Sequence, residues 1–111
     1  MSGSSSRRKG NSAEVEVCHA LERAGWHAVT SRNARHGTQA GEDIVTNLPL
    51  SVEVKNHARM ELAEWLRQAQ EQAGDKPAIV VHKRRGKARA EDWYVTTDLA
   101  TLLQIVGPPN G

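Results

Sequence analysis

Residues 41–56 read GEDIVTNLPLSVEVKN, two short alternating segments around a Leu-Pro-Leu turn. This stretch limits the fold more than any other. A period of two demands strands, and a one-residue slip would turn every side chain to the wrong face. Val52 and Val54 share one face, while Ser51, Glu53 and Lys55 share the other. At roughly 3.3 Å per residue, Glu53 and Lys55 lie about 6.6 Å apart along the strand. DIVTN and LSVEVK are expected to pair as a hairpin closing at Leu48-Pro49, which returns Asp43 to the side of that pair. Two carboxylates and an ammonium thus meet on strands that should help to build the core.

An ion pair on an exposed strand face contributes at most about 1 kcal/mol, and burying it costs several kcal/mol per ion. Neither limit accounts for Asp43, whose charge repels Glu53. A hard divalent cation between the two carboxylates does. Mg²⁺ fits, because one or two carboxylates suffice while waters and substrate phosphate complete its shell. A lysine beside such a site can orient or help to deprotonate an attacking water and steady charge on phosphate. The residues point to a metal-dependent phosphodiesterase.

The rest of the chain sets the frame. Its 111 residues favour one domain with one modest core, and 38% hydrophobic against 25% charged residues indicates a globular chain. With a single cysteine, Cys18, there is neither an internal disulfide nor a cysteine-built zinc site, and a reducing cytoplasm (bacterial, or of a phage-infected host) is the natural setting. No apolar run approaches the ~18 residues of a membrane span. MSGSSSRRKGN lacks the apolar segment of a secretory signal.

Residues 1–10 read as a flexible basic arm, 11–106 as the domain and 107–111 as a disordered tail. Asn11 and Glu14 form a capping-box pattern for a helix ending at Gly25, with Val17, Cys18 and Leu21 on its apolar stripe. Glu14 falls on that stripe too, so it either caps the helix or faces a cleft. WHAVTS is a first strand, followed by the polar loop 32–42. Beyond the hairpin come a helix over 60–73, an apolar central strand AIVVH, a strand DWYVT and a helix through Gln104. The order α-β-β-β-α-β-β-α predicts an α/β fold with a mixed sheet flanked by helices.

The formal charge is only +2, but the cations are grouped: Arg7, Arg8 and Lys9, then Arg32 with Arg35, then HKRRGKAR at 82–89. Such patches either track phosphates or decorate solvated turns. The turn holding Lys83, Arg84, Arg85 and Lys87 is a candidate phosphate clamp, and His36 is the best DNA contact among the five histidines. His19, His27, His57 and His82 are expected on the surface or facing DNA. Asn56-His57 lacks the rest of a ββα-metal pattern. Trp26, Trp65 and Trp93 are expected in the core, and any exposed one would mark a dimer surface.

Asp43, nine residues, then Glu53-Val54-Lys55 resembles the PD-(D/E)XK nuclease pattern, and the element order agrees with that restriction-endonuclease-like fold. RRKGNSAEVEVCHALERAGW is similar to the start of archaeal-type Holliday junction resolvases, which have small bacteriophage relatives. The resemblance spans roughly residues 7–105. It implies that Asp43 and Glu53 bind Mg²⁺, with Mn²⁺ as a candidate substitute. The Val54 carbonyl would be a further ligand and Glu14 would join directly or through water. Lys55 would be the catalytic lysine. It also implies a branched-DNA substrate and a homodimer, since symmetric junction cutting needs two sites. Glu42 stands where the pattern's name has proline. Ser31 or Thr38 matches the loop serine of resolvases only loosely, and Gln68 or Gln72 the polar residue of the second helix. The other readings are a nuclease acting on flaps, mismatches or duplex, and a non-catalytic DNA-binding module.

Overall fold

A computed structural model describes residues 2–33 and 43–110, with side chains from Ser12 onward. The side chains of Arg7, Arg8, Lys9 and Asn11, and all of Arg35, His36, Thr38 and Glu42, lie outside the described residues. The fold is α/β, with helices α1 (Ser2–Arg23), α2 (Leu62–Ala73) and α3 (Leu99–Val106). Its strands are β1 (Ala28–Thr30), β2 (Ile44–Thr46), β3 (Ser51–Lys55), β4 (Ala78–His82) and β5 (Tyr94–Thr96). None of the described helices is long and apolar enough to cross a membrane.

The first helix corrects the capping-box reading. It is already helical from Ser2, so Asn11 opens nothing and Glu14 sits in mid-helix, where no orphan amide needs it. Once nucleated, a helix adds one hydrogen bond per residue fixed, so the turns set by Val17 and Cys18 can extend backward through polar residues. Its end lies where the glycine rule puts it. Gly25 takes φ of 100°, and the Trp26 amide returns to the Leu21 carbonyl at 2.9 Å.

The expected hairpin is also corrected. β2 pairs antiparallel with β1, Val29 opposite Val45, while β3 joins a separate sheet of order β3-β4-β5. The turn between β2 and β3 closes on itself through the Leu48 amide and the Thr46 hydroxyl (3.1 Å) and the Leu50 amide and the Leu48 carbonyl (2.8 Å). That tight fold redirects the chain instead of laying the strands side by side. β3 and β4 run parallel, Glu53 opposite Val80 and Lys55 opposite His82, with α2 as the crossover that parallel strands require. β5 returns antiparallel, so the apolar β4 is central, as its sequence suggested.

The strand faces sort as alternation demands. Val52, Val54 and Val81 pack with Ala13, Val17 and Cys18 of α1 and with Trp93. Ala78 and Val80 pack with Trp65, Ala69 and Ala73 of α2. The buried Cys18 thiol is pushed up to about 11 chiefly by burial, as suits inert packing. Trp65 and Trp93 are core residues, but Trp26 is 38% exposed. His82 is buried too, against the expectation of a surface histidine. Its ring lies 5.6 Å from those of Trp65 and Tyr94, its Nε2 is 2.7 Å from the Thr96 hydroxyl, and burial lowers its pKa.

Candidate functional site

Glu53 lies in the middle of β3 on the face toward α2 and is only 8% exposed. Lys55, two residues on, brings its Nζ to 3.4 Å from Glu Oε2 of Glu53 and 3.5 Å from Oε1 of Gln68 on α2. Alternation along the strand sets the first contact, and the parallel crossover that lays α2 across this face sets the second. Gln68 in turn donates through Nε2 to Glu64 Oε2 at 3.1 Å. Of the two glutamines the sequence offered, Gln68 joins the lysine. Gln72 has a buried Oε1 with no hydrogen-bond partner.

Asp43 reaches the same place by a different route. It stands just before β2, and its carbonyl accepts the Ser31 amide at 3.0 Å, which fixes it to the exit of β1. Its carboxylate Oδ2 accepts the Val54 amide at 2.8 Å. A side chain thus occupies the ladder position that a hairpin partner would have taken on the outer edge of β3. Burial first, and then the charge of Glu53, push the Asp43 carboxyl up to about 7. The Val54 amide and the Lys55 ammonium pull the other way without cancelling this.

Glu14 of α1 stands near enough to Asp43 for the two charges to interact. Its pKa is raised by burial and then by the charge of Asp43, so the two carboxyls feel one another across the edge of β3. Arg32, one of the cations assigned to DNA, donates from Nη1 to Glu14 Oε1 at 2.8 Å. It therefore holds the Glu14 carboxylate as well as adding positive charge. Nothing local in the sequence announces that pair, because its members are eighteen positions apart on different elements. Ser31 enters the site through its backbone amide.

The donor set suits a hard cation: carboxylates at a partly buried strand edge, their pKa raised first by burial and then by one another's charge. Among the described residues no group of three or more His, Cys, Asp or Glu side chains is placed to hold a metal ion together. A site built on Asp43 and Glu53 is therefore a two-carboxylate site. That suits Mg²⁺, which is bound by one or two carboxylates together with water and phosphate oxygens.

The basic turn after β4 is exposed throughout residues 83–89. It is nonetheless shaped: the Lys87 amide bonds the Arg84 carbonyl at 3.1 Å, and the Trp93 indole donates to the Lys87 carbonyl at 2.7 Å. Gly86, at φ of 82°, supplies the left-handed residue that this turn needs. No family model, curated protein or solved structure matches this chain.

Proposed function

We propose that this chain is a Mg²⁺-dependent, structure-selective DNA endonuclease, a dimeric Holliday junction resolvase with PD-(D/E)XK chemistry. The observation that carries the reading is the convergence of Asp43, Glu53 and Lys55 at one strand edge. Asp43 and Glu53, with the Val54 carbonyl, would hold the cation, and Glu14 would add to it directly or through water. Bound there, Mg²⁺ or Mn²⁺ would lower the pKa of a water and polarise the scissile phosphate. Lys55, steadied between Glu53 and Gln68, donates to the phosphate oxygen where negative charge grows and orients the attacking water. Arg32 holds the Glu14 carboxylate in place and opposes the rise in its pKa. The basic turn from Lys83 to Lys87 tracks the phosphate backbone in a salt-dependent, sequence-independent way.

The second subunit has a surface to meet. Helix α3 buries none of its residues, and Leu99, Leu103 and Val106 are 69%, 59% and 70% exposed. Val95 on β5, the outer strand of its sheet, is 58% exposed. Asp98 is the only charged residue between Tyr94 and Val106, so two copies of this face would meet without repulsion.

The test compares a synthetic four-way junction with a linear duplex of the same sequence, in Mg²⁺ and in EDTA. Paired, symmetric nicks on the junction in Mg²⁺ alone are expected. Equal cutting of the duplex would move the reading to a nuclease on other DNA, and tight junction binding without cutting would leave a DNA-binding module.

A further inference from the structure

The carboxyl ends of β3 and β4 are where two parallel strands stop side by side, with the Lys83 amide bonded to the Lys55 carbonyl at 2.9 Å. In open α/β sheets this is where crevices form, because the chain leaves such ends in different directions. Here residues 56–58, leaving β3, and 83–86, leaving β4, border an open cavity of about 920 Å³. It begins one residue beyond Lys55.

The lining has two kinds of chemistry. Lys83, Arg84 and Arg85 contribute three cations, and among the described residues no acidic one lines the cavity. Arg84 is held in place by stacking over the Tyr94 ring at 5.0 Å and by donating to the Asp92 carbonyl at 3.4 Å. The lining also offers the apolar Met60, 49% exposed, and the imidazole and amide of His57 and Asn56. The His57 ring lies 5.6 Å from that of the buried Trp65, which gives it a fixed backing.

A cationic end, an apolar side chain with an imidazole beside it and a few polar groups are what a nucleotide needs, and the volume admits one. We propose that this cavity seats one unpaired nucleotide, with its phosphate on Arg85 and Lys83 and its base against Met60 and His57. A base stacked in a duplex cannot enter such a crevice, whereas one at a branch or a single-stranded end enters with little unstacking. The cavity would then select branched DNA beside Lys55, an assignment that rests on the nuclease reading above.

The test is calorimetric titration of the full chain, without divalent metal, using deoxyadenosine monophosphate, deoxyribose 5-phosphate and inorganic phosphate in turn. The mononucleotide should bind about tenfold more tightly than either base-free probe. Arg85→Ala should weaken all three probes, and Met60→Ala the mononucleotide alone. Both side chains are exposed, so neither change threatens the fold. Equal affinity for all three probes would overturn the base seat, and absence of binding would overturn the site altogether. Because no cleavage is measured, a chain that binds the nucleotide but cuts nothing refutes only the nuclease reading. A chain that cuts junctions but ignores the mononucleotide refutes only the cavity.

Discussion

The Asp43 carboxylate accepts the Val54 amide at 2.8 Å, so an acid side chain closes the outer edge of β3 where a paired strand was expected. This couples the candidate metal site to the sheet, because the group that completes the ladder is also the group facing Glu53. Asp43→Asn keeps an oxygen for the Val54 amide and removes the repulsion. It should hold or raise the melting temperature at pH 7.5 while abolishing Mg²⁺-dependent cleavage. Asp43→Ala leaves the amide without its acceptor and should lose about 1 kcal/mol. Thermal melts of the two variants beside wild type check both.

The raised Asp43 pKa has a definite linkage sign. Its folded value, about 7, lies above the ordinary carboxyl value of 3.8, so protonation favours the fold. The stability it contributes is complete below the unfolded pKa and disappears as pH rises through about 7. Glu14, also raised, acts in the same direction. His82, lowered by burial, acts oppositely, losing stability as pH falls below its ordinary value. The readout is therefore the difference made by Mg²⁺ at each pH. Mg²⁺ should raise the melting temperature more at pH 8 than at pH 5, and an equal rise at both would contradict a carboxylate site.

Lys55 and Gln68 divide structure from function. Lys55→Ala strips a mostly buried Glu53 of its partner, which costs about 3 kcal/mol when a buried pair is broken, and it should also end cleavage. Gln68→Ala removes a long contact of 3.5 Å to Lys55 and an exposed one of 3.1 Å to Glu64. It should leave stability within about 1 kcal/mol of wild type and slow cleavage about tenfold by loosening the lysine. Single-turnover rates and denaturant melts on the same preparations separate the two effects.

The apolar face of α3 predicts self-association. Leu99→Glu with Leu103→Glu should halve the mass seen by analytical ultracentrifugation and leave the melting cooperative, since both side chains are exposed. An unchanged mass would show that this face does not join two copies.

Much of this was legible in the sequence because period-two alternation sorts faces without tertiary information. Val52 and Val54 were placed opposite Glu53 and Lys55, and that is where they stand. AIVVH was central because only a strand covered on both faces tolerates an unbroken apolar run. What stayed hidden was non-local. β2 could pair with β1 or with β3, and the residues alone do not rank the two. Glu14 fitted a capping box that a longer helix made superfluous, and its actual partner Arg32 lies across a turn. Trp26 read as core because a monomer-based reading assumes that large apolar side chains find cover within the chain.

Cleavage of a four-way junction by wild type and by Asp43→Asn, each with its junction affinity measured in Ca²⁺, bears most directly on the central claim. The account predicts Mg²⁺-dependent nicking by wild type, none by the variant, and junction affinities within about threefold of each other, because the basic patches carry the binding. Undiminished cleavage by Asp43→Asn would contradict it.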